Sequence, residues 1–483
     1  MELSELQSLL ADPSKLANTI KDLAPAIDPE SLKFNPETHN VTTIAHRPKR
    51  AVEIPTGLLD DKGDKIYKTE YRDVHRIPSS TQKQIVDWAV QMALGNPVEV
   101  DCKPETEADK MMLAMVEKTL EDNKMDYVNQ EIERLKQIYL TVMEVWYSEG
   151  CEPGYWSEVT DNSSVKFKMR CVVMSPEDGD IIVPIRNQYK DLLATARFYV
   201  VKFEGKDINK MDLFLQKSYD TYIEQPGGWE LDKTNPIAYG KANIVLHEQK
   251  RRETQDVDAK LNRREEIDSD NADENQASGR PLLVATGDIE AVGTRADTGK
   301  TFKVENGGDL KYVEPAGAQE SIENERKNLL KDIYDETQTP QISFESASFT
   351  GSMPGISIKL MFLPATNKAK GKQQGSIGMS HQRRLNFLKS AMAVINIAVK
   401  PSLALKMKPK FSIFLPENET EKYENIVKLV GAGLISKETA IKMLGLVDDP
   451  EAEYAKIKAE AAEAQKAAME LAASQKKEAL KVA

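Results

Sequence analysis

Gln319-Glu-Ser-Ile-Glu-Asn-Glu-Arg-Lys-Asn-Leu-Leu-Lys-Asp-Ile-Tyr-Asp-Glu-Thr-Gln-Thr-Pro340-Gln-Ile-Ser-Phe-Glu-Ser-Ala-Ser-Phe-Thr-Gly-Ser-Met-Pro-Gly355 decides how the rest of the chain is read. From Ser321 to Gln338, Ile322, Leu329, Leu330 and Ile333 recur at one- and two-turn spacings among charged residues, which predicts an amphipathic helix of about five turns. Pro340 stops it. The Ser, Gly and Pro residues that follow defeat both helix and strand periods while Phe344, Phe349 and Met353 remain, so this is a loop with something to touch.

On its N-terminal side, Gly279 to Ala316 reads as a compact β-rich insert, with strand-like runs at 281–285, 289–292, 301–304 and 310–313 between Gly-rich turns. Before that insert, Thr254 to Ser278 has few apolar residues, and a helix polar on nearly every face is solvated, disordered, or packed among copies of itself. The two helices therefore flank the insert like legs of one stem. Within the insert, Gly293 to Thr301 ends in Gly-Lys-Thr but spaces its glycines by five residues instead of four, and a strand follows where a phosphate-binding loop needs a helix N-terminus. An ordinary turn is expected there.

Further out, the N-terminal region mixes helices and strands. Leu3, Leu6, Leu9 and Leu10 mark a first helix; helices are also expected from Arg76-Ile77-Pro78 to Leu94, from Glu105 to Asn123 and from Asp126 to Glu149, with a short strand Val98-Glu99-Val100. From Lys166 to Glu248 the period changes to two, predicting an antiparallel sheet of about five or six strands and an α+β fold class. The basic cluster His46, Arg47, Lys49 and Arg50 reads as a solvated loop.

On the C-terminal side, Gly371, Gly375 and Gly378 each cost about 1 kcal/mol relative to Ala inside a helix, so either a short glycine-rich break interrupts a helix there or two helices meet. Lys368, Lys370 and Lys372 read as a solvated helix face, with phosphate contact as the alternative. Lys410 to Pro416 is a strand, Asn418 and Ser436 cap two further helices, and an Ala, Glu and Lys-rich helix from Glu451 carries a small-residue seam through Tyr454, Ile457, Ala461 and Ala464, with fraying expected after Ser474.

A chain of 483 residues with a net charge of −12 is too long for one core and too acidic to grip nucleic acid by neutralising phosphates. No apolar run approaches the roughly 18 residues of a membrane span, and Met1 to Leu6 lacks a signal-peptide pattern, so a protein made and kept in the cytoplasm is expected, with no membrane partner. Cys102, Cys151 and Cys171 are scattered and read as reduced; the five histidines are isolated, so neither a metal site nor a catalytic triad can be assembled locally, and no cofactor or enzymatic activity is expected.

The order of helix, Pro stop, loop and second helix resembles the portal proteins of tailed double-stranded-DNA bacteriophages. The most specific likeness lies near the C-terminus, in the succession of strand, Leu415-Pro416, helix, Ile435-Ser-Lys-Glu-Thr-Ala440 and Val447-Asp-Asp-Pro-Glu451. The resemblance implies a wing over 1–250, stem helices over 251–278 and 318–340, a clip over 279–317, a tunnel loop over 341–356, a long wing helix and return strand over 357–417, and a crown over 418–483. It further implies a virion protein at the capsid vertex: a homo-oligomeric ring of about twelve copies through which the genome is packaged and ejected. Its partners would be the terminase large subunit, a head-to-tail adaptor, and the major capsid protein or scaffold. Two rivals are a non-conducting head connector or minor capsid protein, and a nucleotide-binding enzyme built on Gly293 to Thr301.

Under this reading, Asp256, Asp258, Glu265, Glu266, Asp268, Asp270, Asp273 and Glu274 line the channel and repel the phosphate backbone at close range. In the tunnel loop, Ser346, Ser348, Thr350 and Ser352 would meet the duplex without reading bases, beside Gly351, while Phe349 and Met353 brace the loop.

Overall fold

The computed structural model describes residues 1–59, 61–160, 165–278, 282–286, 309–313, 319–341, 359–414, 419–447 and 449–479. The chain forms two units, Met1–Ile342 with Leu363–Phe414, and Ser343–Phe362 with Leu415–Ala483. The architecture is mixed α+β with antiparallel sheets.

The first unit opens with helices α1 (Leu3–Leu9) and α2 (Pro13–Asp22), the latter started by Pro13 at its first turn and by the Asp12 side chain accepting from the Lys15 N–H. After short 3-10 turns come strands β1 (Arg50–Leu59) and β2 (Lys65–Arg72), then α3 (Thr81–Leu94), β3 (Glu99–Cys102), α4 (Glu107–Asp122) and α5 (Met125–Tyr139). Strands β4 (Thr141–Gly150) and β5 (Phe167–Met174) precede the meander β6 (Ile181–Arg186), β7 (Leu192–Phe203), β8 (Lys206–Phe214), β9 (Ser218–Gln225) and β10 (Gly228–Pro236), and β11 (Ile244–Glu248) closes the series.

Strands β10-β9-β8-β7-β6 make a five-stranded sheet and β11-β4-β5 a three-stranded one. Period-two alternation puts Ala194, Ala196, Phe198, Met211 and Leu213 on the face that α1 and α2 cover with Leu6, Leu9, Leu16, Ala17 and Ile20. Fully burying a side chain such as Leu16 stabilises by about 1.5–3 kcal/mol.

The single sheet expected over Lys166 to Glu248 divides in two, with β6 to β10 in one and β5 and β11 flanking β4 in the other. The helix expected from Asp126 to Glu149 ends at Tyr139, because Leu140 takes a positive φ of 70° and Thr141 to Gly150 is a strand paired with both β5 and β11. Val142, Val145 and Trp146 fit a helical stripe but are also β-formers, and the two partner strands decide between the periods. The sequence reading also passed over β1, β2 and β10, whose residues are largely exposed and carry no clean alternation.

The chain continues with α6 (Asp258–Ser278), the paired strands β12 (Leu282–Thr286) and β13 (Asp309–Val313), and α7 (Gln319–Thr337). The expected strands at 289–292 and 301–304, and the Gly293 to Thr301 turn, lie outside the described residues. Helices α8 (Leu363–Lys372) and α9 (Gly378–Ile395) are joined by a π-helical turn at Gln373–Ile377, with non-helical torsions at Gly375. The glycine-rich interruption is thus one wide turn in a continuing rod, and it lets the Gln373 amide donate to the Ala93 and Ser412 carbonyls. A 3-10 turn over Ile397–Ala404 leads to β14 (Met407–Lys410), which pairs with β3; the strand expected over Lys410 to Pro416 is thus misplaced, since 411–414 are not strand and 415–416 lie outside the described residues.

Helix α9 is the spine of the second core, where Leu385, Leu388 and Met392 pack with Met112, Met115, Val116 and Trp146. A polar knot lies beside it: the buried Arg384 guanidinium donates to both Glu144 carboxylate oxygens, at 2.8 Å from Nε and 2.5 Å from Nη2, and to Asn129 at 2.7 Å. Glu144 also accepts from Trp146 and from His247. Burial works against its charge, yet Arg384 and His247 outweigh that and hold the Glu144 carboxyl well below the ordinary range.

The second unit contains α10 (Glu419–Gly431), α11 (Lys437–Leu444) and α12 (Pro450–Ala479). Ser436 caps α11 through the Thr439 N–H, and Gly445 ends it with φ 64°. Helix α12 runs past Ser474, where fraying was expected, because no residue from there to Ala479 breaks a helix.

Candidate functional site

Helices α6 and α7 run antiparallel, as their cross-links show: Lys260 bonds Glu336 at 2.5 Å and Asp332 at 3.4 Å, Arg263 bonds Glu325 at 3.1 Å, and Arg326 meets Asp268 at 2.6 Å. Apolar contact between them is short, made by Val257, Leu261 and Ile333 with Ile85 of α3. Burying so little apolar surface would not hold two polar helices together in water. The remainder comes from polar contacts to earlier parts of the chain.

These contacts follow one flank of α6. Glu265, 2% exposed, lies 2.6 Å from Nδ1 of the buried His39, whose Nε2 lies 2.7 Å from the Lys33 carbonyl. The same carboxylate accepts from the backbone N–H and hydroxyl of Ser79. Both ring nitrogens of His39 thus lie within hydrogen-bond distance of an oxygen. Ser269 accepts from the Ile77 N–H, and Arg264 donates to Thr81.

One turn further, Arg47 donates to Asp270 at 2.7 Å and to Asp273, while Asp273 accepts from the backbone and ring of His75, each at 2.8 Å. Burial opposes the charge on Asp273, but these donors prevail and lower its pKa; burial likewise opposes the charge on Arg47, and Asp270 and Asp273 together overcome it and raise its pKa. At the start of α6, Arg252 ties Asp258 to Asp28.

The eight acids of the expected lining therefore separate. Asp256, Glu266, Asp270 and Glu274 are exposed; Asp258, Asp268 and Asp273 are half-buried in ion pairs; Glu265 is turned into the protein and has no free face. Ala259, Arg263, Glu266, Asp270 and Glu274 recur at steps of three and four and form one solvent-facing stripe, acidic over its last three members. Asp256, just before the helix, is bonded by Arg251. The loop residues Ser346, Ser348, Phe349, Thr350, Gly351, Ser352 and Met353 lie outside the described residues.

Two lysine expectations change. Lys368 and Lys372 are neither a solvated face nor a phosphate contact, since both bond Glu253, and Lys372 also approaches Glu133 at 3.8 Å. Burial pulls the Lys368 pKa down against the pull of Glu253. Lys370 alone of the three is exposed. Arg47, from the cluster read as a solvated loop, is the main clamp on α6, and a basic run placed far upstream of an acid-rich helix was the signal available for it.

His247 and His381 come within 6.3 Å of each other, ring centre to ring centre, inside the Glu144 knot. Among the described residues no group of His, Cys, Asp and Glu could hold a metal ion, and no helix is long and apolar enough to cross a membrane. The three cysteines are unpaired.

The profile of a family described as phage portal protein, SPP1 Gp6-like, matches residues 49–467. A portal protein of Bacillus phage SPP1 is 22% identical over 430 residues, which is 83% of this chain and 78% of that protein. Among solved structures, the neck of an empty GTA particle computed with C6 symmetry superposes with a TM-score of 0.36 and 11% identity, over 76% of this chain and 90% of that one.

Proposed function

This chain belongs to the SPP1 Gp6-like family of phage portal proteins, structural and non-enzymatic, and from that premise we propose that its copies close into a ring around a channel for double-stranded DNA. In this reading α6 and α7 are the stem, 279–317 is the clip, the body before residue 251 is the wing, and α10 to α12 form the crown. The observation that carries it is the outward stripe of α6. A helix pinned along one flank by His39, Ser79, Arg47 and His75 leaves Glu266, Asp270 and Glu274 facing solvent.

Repeated about an axis, that stripe makes a predominantly acidic wall, offset in part by Arg263, which meets Glu266 at 3.6 Å, and by Arg47, which meets Asp270 at 2.7 Å. At distances under the Debye length, about 10 Å at 0.1 M salt, it repels phosphates, so DNA slides instead of adhering. Glu265 is excluded from the wall because its carboxylate is spent on the body. The loop residues Ser346, Ser348, Thr350 and Ser352 touch the passing duplex through polar contacts to its backbone, with Gly351 between them and Phe349 and Met353 bracing from behind. Terminase and then a head-to-tail adaptor dock on the clip, and the capsid or its scaffold holds the wing.

Negative-stain imaging of the purified chain tests the ring directly: closed rings with an open axial hole are expected. A solid plug would favour a non-conducting connector. Glu266→Lys/Asp270→Lys/Glu274→Lys rings should retain DNA on a column at salt concentrations where the parent flows through. Equal retention would count against the lining.

A further inference from the structure

The hairpin of β1 and β2 stands apart. Its strands pair with each other in antiparallel register from Arg50 opposite Arg72 to Leu59 opposite Lys65, and they make no extensive contact with any other described element. Val52 and Ile54 are half-buried; the other residues whose burial is described between Arg50 and Arg72 are exposed, including Leu58 at 65%, Leu59 at 63% and Tyr71 at 67%. A two-stranded hairpin alone in water is marginal at best, and its open edges invite pairing.

Its root is firmly held. Arg47 donates to the His75 carbonyl at 2.6 Å, Arg76 donates to the Arg47 carbonyl at 2.8 Å, and Lys49 pairs with Asp73 at 3.0 Å, so both ends of the hairpin are tied together. Arg47 and His75 are also the residues that clamp Asp270 and Asp273 of α6. From this root an eight-residue strand reaches about 26 Å. The register assigns its faces: Arg50, Arg72 and Lys68 share one with Val52, Ile54 and Glu70, while Tyr67, Tyr71, Ala51, Glu53 and Thr69 share the other.

We propose that this hairpin is an intersubunit strap, buried against the adjacent copy of the same chain. The proposal rests on the ring reading above. In a ring, an arm rooted on the stem helix of every copy meets the same non-identical patch of its neighbour, which is a head-to-tail contact that closes with the ring. Charge favours that occupant: the face carries Arg50, Lys68 and Arg72 against one carboxylate, Glu70, which Arg72 meets at 3.8 Å, and its net positive charge has a complement in a neighbouring chain whose net charge is −12. Tyr67 and Tyr71 supply large apolar area with a hydroxyl at the tip, the residue type enriched where proteins meet.

The test places the photoreactive residue p-benzoylphenylalanine at Tyr71, and separately at Tyr67, in the full chain, and co-assembles light and heavy-isotope-labelled copies before irradiation. Peptide adducts joining a light copy to a heavy one are expected inside closed rings. Closed rings in which adducts join only residues of one copy, or no residues, would overturn the strap and leave the ring standing. Absence of closed rings would refute the ring, and absence of mixed adducts in that sample would refute the strap with it. Adducts to added DNA or to capsid protein in place of the neighbouring copy would also overturn it.

An Arg50→Glu/Lys68→Glu/Arg72→Glu variant supplies the second measurement. It should raise the concentration needed for assembly by about tenfold, some 1.4 kcal/mol, while the melting temperature of the unassembled chain stays unchanged. Unaltered assembly would count against the basic face as a contact.

Discussion

Arg384 and His39 are single side chains on which larger pieces depend. Arg384 bridges Glu144 of β4 to Asn129 of α5 from the spine helix α9, and all three are buried. Replacing it with Ala leaves Glu144 uncompensated, and chemical denaturation should register a loss of about 3–5 kcal/mol. His39→Ala removes a partner from the buried Glu265 and should cost about 1–3 kcal/mol, with Glu265→Gln in the same background recovering part of it. The pH dependence follows from His247 and His381, both lowered below the ordinary histidine value, first by burial. The unfolded chain binds protons at these positions near pH 6.5 while the folded one does not, so their contribution is complete above about pH 6.5 and is lost as pH falls towards the folded values. Denaturant midpoints taken between pH 7.5 and 5 should therefore decline, and His381→Phe should flatten the decline.

At the scale of elements, legibility followed the apolar period. Helix α7 could be read to within two residues because Ile322, Leu329, Leu330 and Ile333 mark one face and Pro340 ends it, whereas α6 offered no such stripe, with composition alone favouring solvation or disorder. Its order depends on Arg47, His75 and Ser79, 186 to 226 positions away, which no local window contains. The same limit hid β4, whose helical appearance was overruled by two partner strands, and it made Glu265 look like a lining residue when its place is inside. Arg47→Ala severs the clamp while leaving the exposed stripe in place. Hydrogen exchange should then quicken in α6 around residues 269–273 and in the hairpin root together, and protection unchanged in either would mean that the two are held separately.

For the whole molecule, the order of segments carried more than any motif did. No single pattern in this chain is diagnostic in the way a metal-ligand spacing is, yet the succession of stop, loop, strand and capped helices led to the family that the profile match over 49–467 shows. Under the proposed ring and strap, assembly should show salt dependence of both signs, the acidic stripes repelling one another across the channel and the hairpin's Arg50, Lys68 and Arg72 attracting the next copy. Sedimentation across 50–500 mM salt should find an interior optimum for ring formation; a monotonic curve would mean that one of the two contributions is missing.

The bonds from Glu265 to Asp273 join α6 to the body along its side, over about 12 Å at 1.5 Å per residue. A pull directed along the axis of that helix loads them side by side in shear, so each carries a fraction and none has to give way first. Were the same bonds gathered at one tip, they would open like a zip. In the proposed channel, a wall riveted sideways in this way would withstand a moving polymer, with small individual strengths adding up because they are strained at the same moment.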